Sequence, residues 1–311
     1  MFKTAIQVAK GVGALLVIST NTIVLTTVVC ILAVFKLLLP EGPVRKWFRK
    51  VLAGLAELWI GINNAVFSLY RNTSWDIEIP PGLSRKGCYL VNSNHQSWVD
   101  ILVLQRCFNR RLPLLRFFLK SQLFWVPFLG VAWWALDFPF MRRYSREQVS
   151  RQPSLKGKDL ENARKACEKF RNIPVAMMNF PEGTRFSEYK RDRYKSPYQN
   201  LLTPRIGGMG QVLYALSEEL DSMIDVTIHY PRKRADGTAP TFWDLISGQL
   251  PEIIVRARVI EIPQALLGRD FRSDRTFRSE LEDWVKKLWT EKDHQLALLD
   301  GAAEAGKLPA K

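Results

Sequence analysis

From Gly11 to Pro40 the chain reads GVGALLVISTNTIVLTTVVCILAVFKLLLP, with Lys36 as its one charge. About 20 consecutive apolar residues suffice to cross a bilayer as a helix. The run therefore commits the N-terminus to a membrane rather than to a globular core. Lys3 and Lys10 precede it, as they would a secretory leader. It is, however, longer than the roughly 7 to 15 apolar residues of a cleaved signal, and no A-x-A-like site follows. We read it as a retained transmembrane helix over about residues 11–39. Lys36, Arg45, Lys46, Arg49 and Lys50 outnumber Lys3 and Lys10, and positive flanks stay in the cytoplasm. The rest of the chain is expected on the cytoplasmic side. Residues 45–69 are amphipathic, interrupted by Glu57, Asn63 and Asn64. They either lie in the interface or pair with the first helix and re-enter the membrane, and the sequence leaves both open.

Beyond residue 70 the apolar pattern breaks into short runs separated by turn signals, the texture of an α/β domain. Short strands are expected at Trp75–Ile79 and Cys88–Val91, with a helix over Ser97–Cys107 and a charged helix over Leu160–Phe170. Ile173–Phe180 reads as a buried strand with Pro174 at its start. A helix at Met209–Leu220 and strands at Ile224–Tyr230 and Glu252–Ile262 follow. Ser273 suits the N-cap of a last helix with Leu281, Trp284, Val285, Leu288 and Trp289 on one face. Strands alternating with helices predict a largely parallel central sheet in a single α/β domain. The organisation expected is a membrane anchor over 1–70, a catalytic domain over 71–299 and an irregular polar tail over 300–311.

Composition narrows the function. The 311 residues carry 45 Lys and Arg against 30 Asp and Glu, a net charge of +15. This balance favours polyanionic partners such as lipid head groups and coenzyme phosphates. No recognisable nucleic-acid module accompanies the charge, so no nucleic-acid partner is expected. Cys30, Cys88, Cys107 and Cys167 lack C-x-x-C spacing and read as core thiols rather than zinc ligands or a redox pair. Between Arg106 and Arg143 a segment rich in rings and cations, including Phe117, Phe124, Trp125, Phe128 and Trp134, suits as a group a surface resting on lipid, the competing reading being that any single ring is simply core; Arg142 and Arg143 read as surface charge near lipid or donor.

The chain has no G-x-S-x-G elbow, no phosphate-binding P-loop, no H-E-x-x-H and no G-x-G-x-x-G after a strand. Of its three histidines, His95 alone sits in a polar turn between a strand and a helix, in Asn92-Ser93-Asn94-His95-Gln96-Ser97-Trp98-Val99-Asp100. Loops at strand ends are where α/β sheets place their sites. Five residues along one helix diverge by about 140°, so His95 and Asp100 meet only if the His precedes the helix and the Asp lies in its first turn. Such a dyad fixes the imidazole tautomer and frees the other ring nitrogen to act as a base. The competing reading is a capping box, Ser97-x-x-Asp100, that explains both residues without chemistry. Some 85 residues later, Phe180-Pro181-Glu182-Gly183-Thr184-Arg185 presents a hydroxyl and a guanidinium on a turn, an arrangement suited to phosphate.

NHQSxxD followed by FPEGTR resembles the glycerolipid acyltransferase family, typified by the lysophosphatidic acid acyltransferases. The intervening Lys-x-x-Leu-x-x-x-Pro-x-x-Gly block is matched by Lys120, Leu123, Pro127 and Gly130, whereas the fourth block is poorly matched by Asp225–Pro231. Arg185-Phe186 with Leu201-Leu202-Thr203-Pro204-Arg205 looks like the branch of eukaryotic-type lysophosphatidate and lysocardiolipin acyltransferases. The resemblance implies His95 as general base on an sn-2 hydroxyl and Asp100 as its orienter. It also implies that Glu182, Gly183, Thr184 and Arg185 hold the acceptor, with Arg185 on its phosphate. Lys120 meets acceptor or coenzyme phosphate, or only solvates its helix. No metal and no bound cofactor are implied: acyl-CoA or acyl-carrier protein (acyl-ACP) is a substrate, lysophosphatidic acid or another lysophospholipid the acceptor, membrane lipid the surroundings. The setting that fits is a cell inner membrane with the site toward the cytoplasm.

Overall fold

The computed structural model describes residues 2–304 except 41, 70–72, 142–149, 153, 155–157, 172, 232–236 and 272. Two helices open the chain, α1 (Phe2–Leu38) and α2 (Pro43–Leu69), both long and apolar enough to cross a membrane. The two helices pack on one another as a hairpin. Asn21 Nδ2 donates to Asn63 Oδ1 at 2.8 Å and to the Trp59 carbonyl at 3.0 Å, and Trp59 Nε1 donates to Thr22 Oγ1 at 3.0 Å. Of the polar residues that interrupt α2, Asn63 thus faces α1, while Glu57 turns to the body and pairs with Arg85 at 2.6 Å. Such side-chain bonds keep polar groups satisfied inside an apolar pair.

The body is one six-stranded sheet. Its strands are β1 (Ser74–Glu78), β2 (Cys88–Ser93), β3 (Leu115–Phe117), β6 (Val175–Asn179), β7 (Ser222–His229) and β8 (Glu252–Ile260), in the spatial order β1-β8-β7-β2-β6-β3. Pairing is parallel throughout except between β7 and β8, so the predicted largely parallel α/β sheet is what forms. Leu119–Lys120 (β4) and Phe140–Met141 (β5) make a separate two-stranded ladder. β2 and β7 are buried along their whole length, as expected of central strands covered on both faces.

The helices that cover the sheet are α3 (Val99–Phe108), α4 (Leu129–Ala135), α5 (Lys158–Glu168), α6 (Glu188–Arg193), α7 (Gly207–Ala215), α8 (Phe242–Ile246) and α9 (Arg275–Glu304). One core joins α3, α8 and the start of α1 to one face, through Val103, Leu104, Leu245 and Ala14. A second joins α7 and α9 to the other, through Val212, Phe277 and Leu281. The Lys292 ammonium of α9 is fully buried against β7. It donates to the Val226 carbonyl at 2.6 Å and pairs with Asp225 at 2.8 Å. Burial lowers its pKa and the Asp225 charge opposes that shift.

Three expectations are corrected. The last helix is capped by Asp274, which accepts from Phe277 N at 2.8 Å, and not by Ser273. It continues through Glu304, into the segment expected to be irregular, while 305–311 lie outside the described residues. Lys120 ends a short strand rather than lying on a helix. Arg142 and Arg143 also fall outside the described residues. Cys88, Cys107 and Cys167 are buried free thiols, in keeping with core packing, whereas Cys30 on α1 is only half-buried.

The hairpin lies along the body rather than projecting from it. Near the start of α1, Trp243 of α8 packs on Gly11, where an added Cβ would stand 2.7 Å from the indole. Near its end, Lys36 donates to the Ala135 carbonyl at 2.8 Å and pairs with Asp137 at 3.0 Å. Those contacts are 25 residues apart, about 38 Å of helix at 1.5 Å per residue.

Candidate active site

The C-terminal ends of β2, β6 and β7 converge on one loop, residues 94–98. Asn94 extends the sheet with its side chain: Oδ1 accepts from Ile228 N and Nδ2 donates to the Ile228 carbonyl, both at 2.8 Å. Gln96 adds a bond to that carbonyl at 2.9 Å. Chain reversal after β2 is thereby tied to β7, and α3 starts at Val99. His95 precedes the helix and Asp100 lies in its first turn, the one arrangement in which they can meet.

They do meet. His95 Nδ1 stands 2.8 Å from Asp100 Oδ2, which also accepts from Gln96 N at 2.6 Å and Ser97 N at 2.8 Å. Oδ1 accepts from the Tyr230 hydroxyl at 2.6 Å. With every other neighbour donating to the carboxylate, Nδ1 carries the ring proton and Nε2 is left as the acceptor. Asp100 is wholly buried while the His95 side chain keeps 14% of its surface exposed. Only half of the capping box forms: Asp100 receives the Ser97 N–H, but the Ser97 hydroxyl accepts from Val99 N and donates to the Pro240 carbonyl. The carboxylate's remaining lone pairs serve the imidazole and the phenol.

The turn after β6 clamps His95 by its backbone. The His95 N–H donates to Glu182 Oε1 at 2.7 Å, and the His95 carbonyl accepts from Phe186 N at 2.7 Å. The other Glu182 oxygen accepts from Leu202 N at 2.9 Å, and the Leu202 carbonyl in turn accepts from Trp289 Nε1 at 3.0 Å. Glu182, expected among the acceptor-binding residues, is thus buried with both oxygens bonded to backbone. It holds the His95 backbone in place. Burial pushes its carboxyl up to about 8, the Asp100 charge pushing the same way and the two N–H bonds opposing. Burial, and after it the Asp100 charge, raises the Tyr230 pKa well above 10, so the hydroxyl keeps its proton and donates.

The rest of the turn faces outward. Gly183 adopts φ +68, a left-handed conformation that favours glycine, and the Arg205 side chain lies over it. Thr184 Oγ1 accepts from Lys190 Nζ at 2.9 Å, and the same ammonium bonds the Arg185 carbonyl at 2.8 Å. The Arg185 guanidinium is exposed and sits 5.1 Å over the Trp98 ring, beside the His95 loop. On the other side, the imidazole stacks on Phe180 at 4.1 Å, and Phe180 on Phe117 at 6.2 Å. Lys120 is exposed three residues beyond Phe117, and no bond among the described residues joins it to the dyad. Gly130 of the same sequence block cannot change: a Cβ there would lie 1.8 Å from the Phe124 carbonyl.

Sequence reasoning missed Tyr230, Leu202 and Trp289. Tyr230 reaches Asp100 from 130 residues away through the pairing of β2 with β7, and Leu202 and Trp289 act at one remove, through Glu182. The fourth block, Asp225–Pro231, carried the one available signal, since its Ile228 and Tyr230 are the residues that hold Asn94 and Asp100.

A family model for acyltransferases matches residues 76–228, from β1 to the Ile228 that bonds Asn94. Those residues form an acyltransferase-family domain. The chain's similarity to curated members extends well past the matched domain. The 2-acyl-1-lysophosphatidylinositol acyltransferase of Saccharomyces cerevisiae is 25% identical over 240 residues, 64% of this chain and 58% of that one. Lysocardiolipin acyltransferase 1 of Gallus gallus is 26% identical over 268 residues, 80% of this chain and 64% of that one. The chain therefore spans about three fifths of the length of those relatives. The crystal structure of the 1-acyl-sn-glycerophosphate acyltransferase of Thermotoga maritima aligns with a TM-score of 0.49 at 15% identity, over 95% of this chain and 97% of that one.

Proposed function

We propose that the protein transfers a fatty acyl group from acyl-CoA or acyl-carrier protein to the sn-2 hydroxyl of 1-acyl-glycerol-3-phosphate, giving phosphatidic acid, at the cytoplasmic face of an inner membrane. The observation that carries the reading is the His95–Asp100 pair, with its free Nε2 beside a turn that presents Arg185. Nε2 takes the proton from the acceptor hydroxyl as its oxygen attacks the thioester carbonyl. The C–S bond then breaks, and the proton on Nε2 passes to the leaving thiolate, so a free thiol and an ester result. No acyl-enzyme is required. Asp100 keeps the tautomer and stabilises the imidazolium formed in between. Arg185 binds the acceptor's phosphate, with Gly183 and Thr184 shaping the turn around it. In this reading Lys120, exposed three residues past the aromatic stack, meets acceptor or coenzyme phosphate, or only solvates its own strand.

The curated relatives are named for different lysolipids, so lysophosphatidylglycerol or another lysophospholipid is the alternative acceptor. The test is coenzyme A release from oleoyl-CoA by membranes carrying the wild type or His95→Ala, with lysophosphatidate, other lysophospholipids or none, and chromatography of the lipid product. The expected result is acceptor-dependent release that falls about 10²- to 10⁴-fold in the variant. Release without acceptor would mark a hydrolase. No His95-dependent release with either donor would leave a tethered basic adaptor.

A further inference from the structure

We infer that residues 121–135 enter the lipid leaflet beside α1, as a second membrane-contacting element built into the catalytic body. The argument starts from how α4 meets α1. The Cys30 thiol approaches the Phe128 carbonyl at 3.7 Å, and Lys36 donates to the Ala135 carbonyl at 2.8 Å. The two helices therefore run side by side in the same direction over residues 30–36 and 128–135. Small residues make the seam: Val29 and Ala33 of α1 are buried with Ala132 and Ala135 of α4. Close approach through small residues is how helices pack in lipid.

Each helix turns an apolar stripe away from that seam. On α1 it is Ile31, Val34, Phe35 and Leu38, at helical spacing, and on the α4 side it is Phe128, Val131 and Trp134, every one of them exposed. Trp125, on the 3₁₀ turn Ser121–Trp125 that leads into α4, is 81% exposed. Phe128 presents its ring from a left-handed backbone, φ +61, which a non-glycine residue adopts only under strain. A continuous exposed apolar surface of this kind marks an interaction site. Its occupant follows from continuity with α1, whose apolar length suits hydrocarbon, and from the charges at its edge. Lys36 pairs with Asp137 at 3.0 Å and Arg49 lies 3.9 Å from the same carboxylate. That cluster sets the polar boundary where head groups begin, and indole rings favour that depth. Residues 115–120 connect this edge directly to the aromatic stack under His95, so the site would be held at the leaflet from which a lysolipid is drawn.

The proposal concerns lipid contact and holds whichever acceptor is used. Its test uses the full chain with Cys30→Ala and Trp125→Cys, labelled at residue 125 with an environment-sensitive fluorophore, the three other thiols being buried. A matching Glu218→Cys variant, exposed on the far side of the sheet, is the control. Both are reconstituted into phosphatidylcholine–phosphatidylglycerol vesicles with or without brominated acyl chains. The expected result is several-fold stronger quenching by brominated lipid at 125 than at 218. Equal weak quenching in protein that floats with the vesicles would overturn the proposal. So would a label at 125 shielded from aqueous iodide but not quenched by lipid, which would mean that protein covers this face. Failure to float at all would overturn it together with the membrane reading of α1.

Discussion

The His95 loop and the α1–α4 edge are built on opposite physical terms. In the loop nearly every polar atom is bonded: Asp100 accepts four hydrogen bonds, Glu182 two, and the backbone of His95 is held at both N–H and carbonyl. At the edge few directional bonds exist, and large rings stand exposed. The first pattern holds one atom, Nε2, in a fixed position, as the base catalysis proposed for it requires. The second tolerates substitution in water and has its value only in a different solvent. Changes in the loop should therefore alter rate or titration, whereas changes at the edge should leave chemistry intact.

The largest effect should come from Asp100→Asn. A carboxamide offers one acceptor oxygen in place of two and turns an NH₂ toward groups that already donate. Either the imidazole flips its tautomer or a backbone N–H is orphaned, and an unmet buried donor costs about 1–3 kcal/mol. The turnover with the best acceptor should fall about 10²- to 10⁴-fold with KM nearly unchanged. A loss of less than tenfold in steady-state kinetics would reduce Asp100 to a helix-start residue.

A smaller, pH-dependent effect tests the Glu182 bracket. Its carboxyl is pushed from an ordinary 4.5 up to about 8 in the folded chain, so between those values the folded state holds a proton that the unfolded state has released. The stability contribution is thus fully present below about 4.5 and is lost as pH rises through about 8. Glu182→Gln cannot titrate. Thermal melts of the two proteins should therefore converge or cross as pH is raised through that window, the wild type losing stability relative to the variant. Parallel curves would show that the carboxyl is not shifted upward.

The same contrast explains what the sequence disclosed. Strands such as Val175–Asn179 and Ser222–His229 were legible because their apolar content is local, and the dyad was legible because His95 and Asp100 are five residues apart. The bonds that hold it were not, since Tyr230 lies 130 residues from Asp100 and is brought there by the pairing of β2 with β7, while Leu202, 20 residues from Glu182, is brought there by the path of the long connection after β6. The backbone role of Glu182 was hidden for a like reason: its type and its turn are visible in sequence, while its two N–H partners are not. At the edge the failure was different. Apolar periodicity in α1 gives length and amphipathicity but no direction, so nothing in the pattern showed that the helix lies along the body from Trp243 to Asp137.

The smallest expected effect is also the one that separates the two regions most cleanly. Phe128 holds φ +61 with an exposed ring, so in water it combines strain with an unburied aromatic. Glycine adopts that conformation without a Cβ penalty, and relief of such strain is worth about 1 kcal/mol. Phe128→Gly should therefore raise the melting temperature slightly in detergent while His95-dependent acyl transfer to a detergent-dispersed acceptor stays unchanged. In vesicles the same variant should lose part of its activity, because the ring that lipid would have buried is gone. A substitution that stabilises the chain and leaves its chemistry alone, yet weakens it only where a bilayer is present, has no explanation in core packing. Equal activity of variant and wild type in vesicles would remove Phe128 from the lipid-facing stripe.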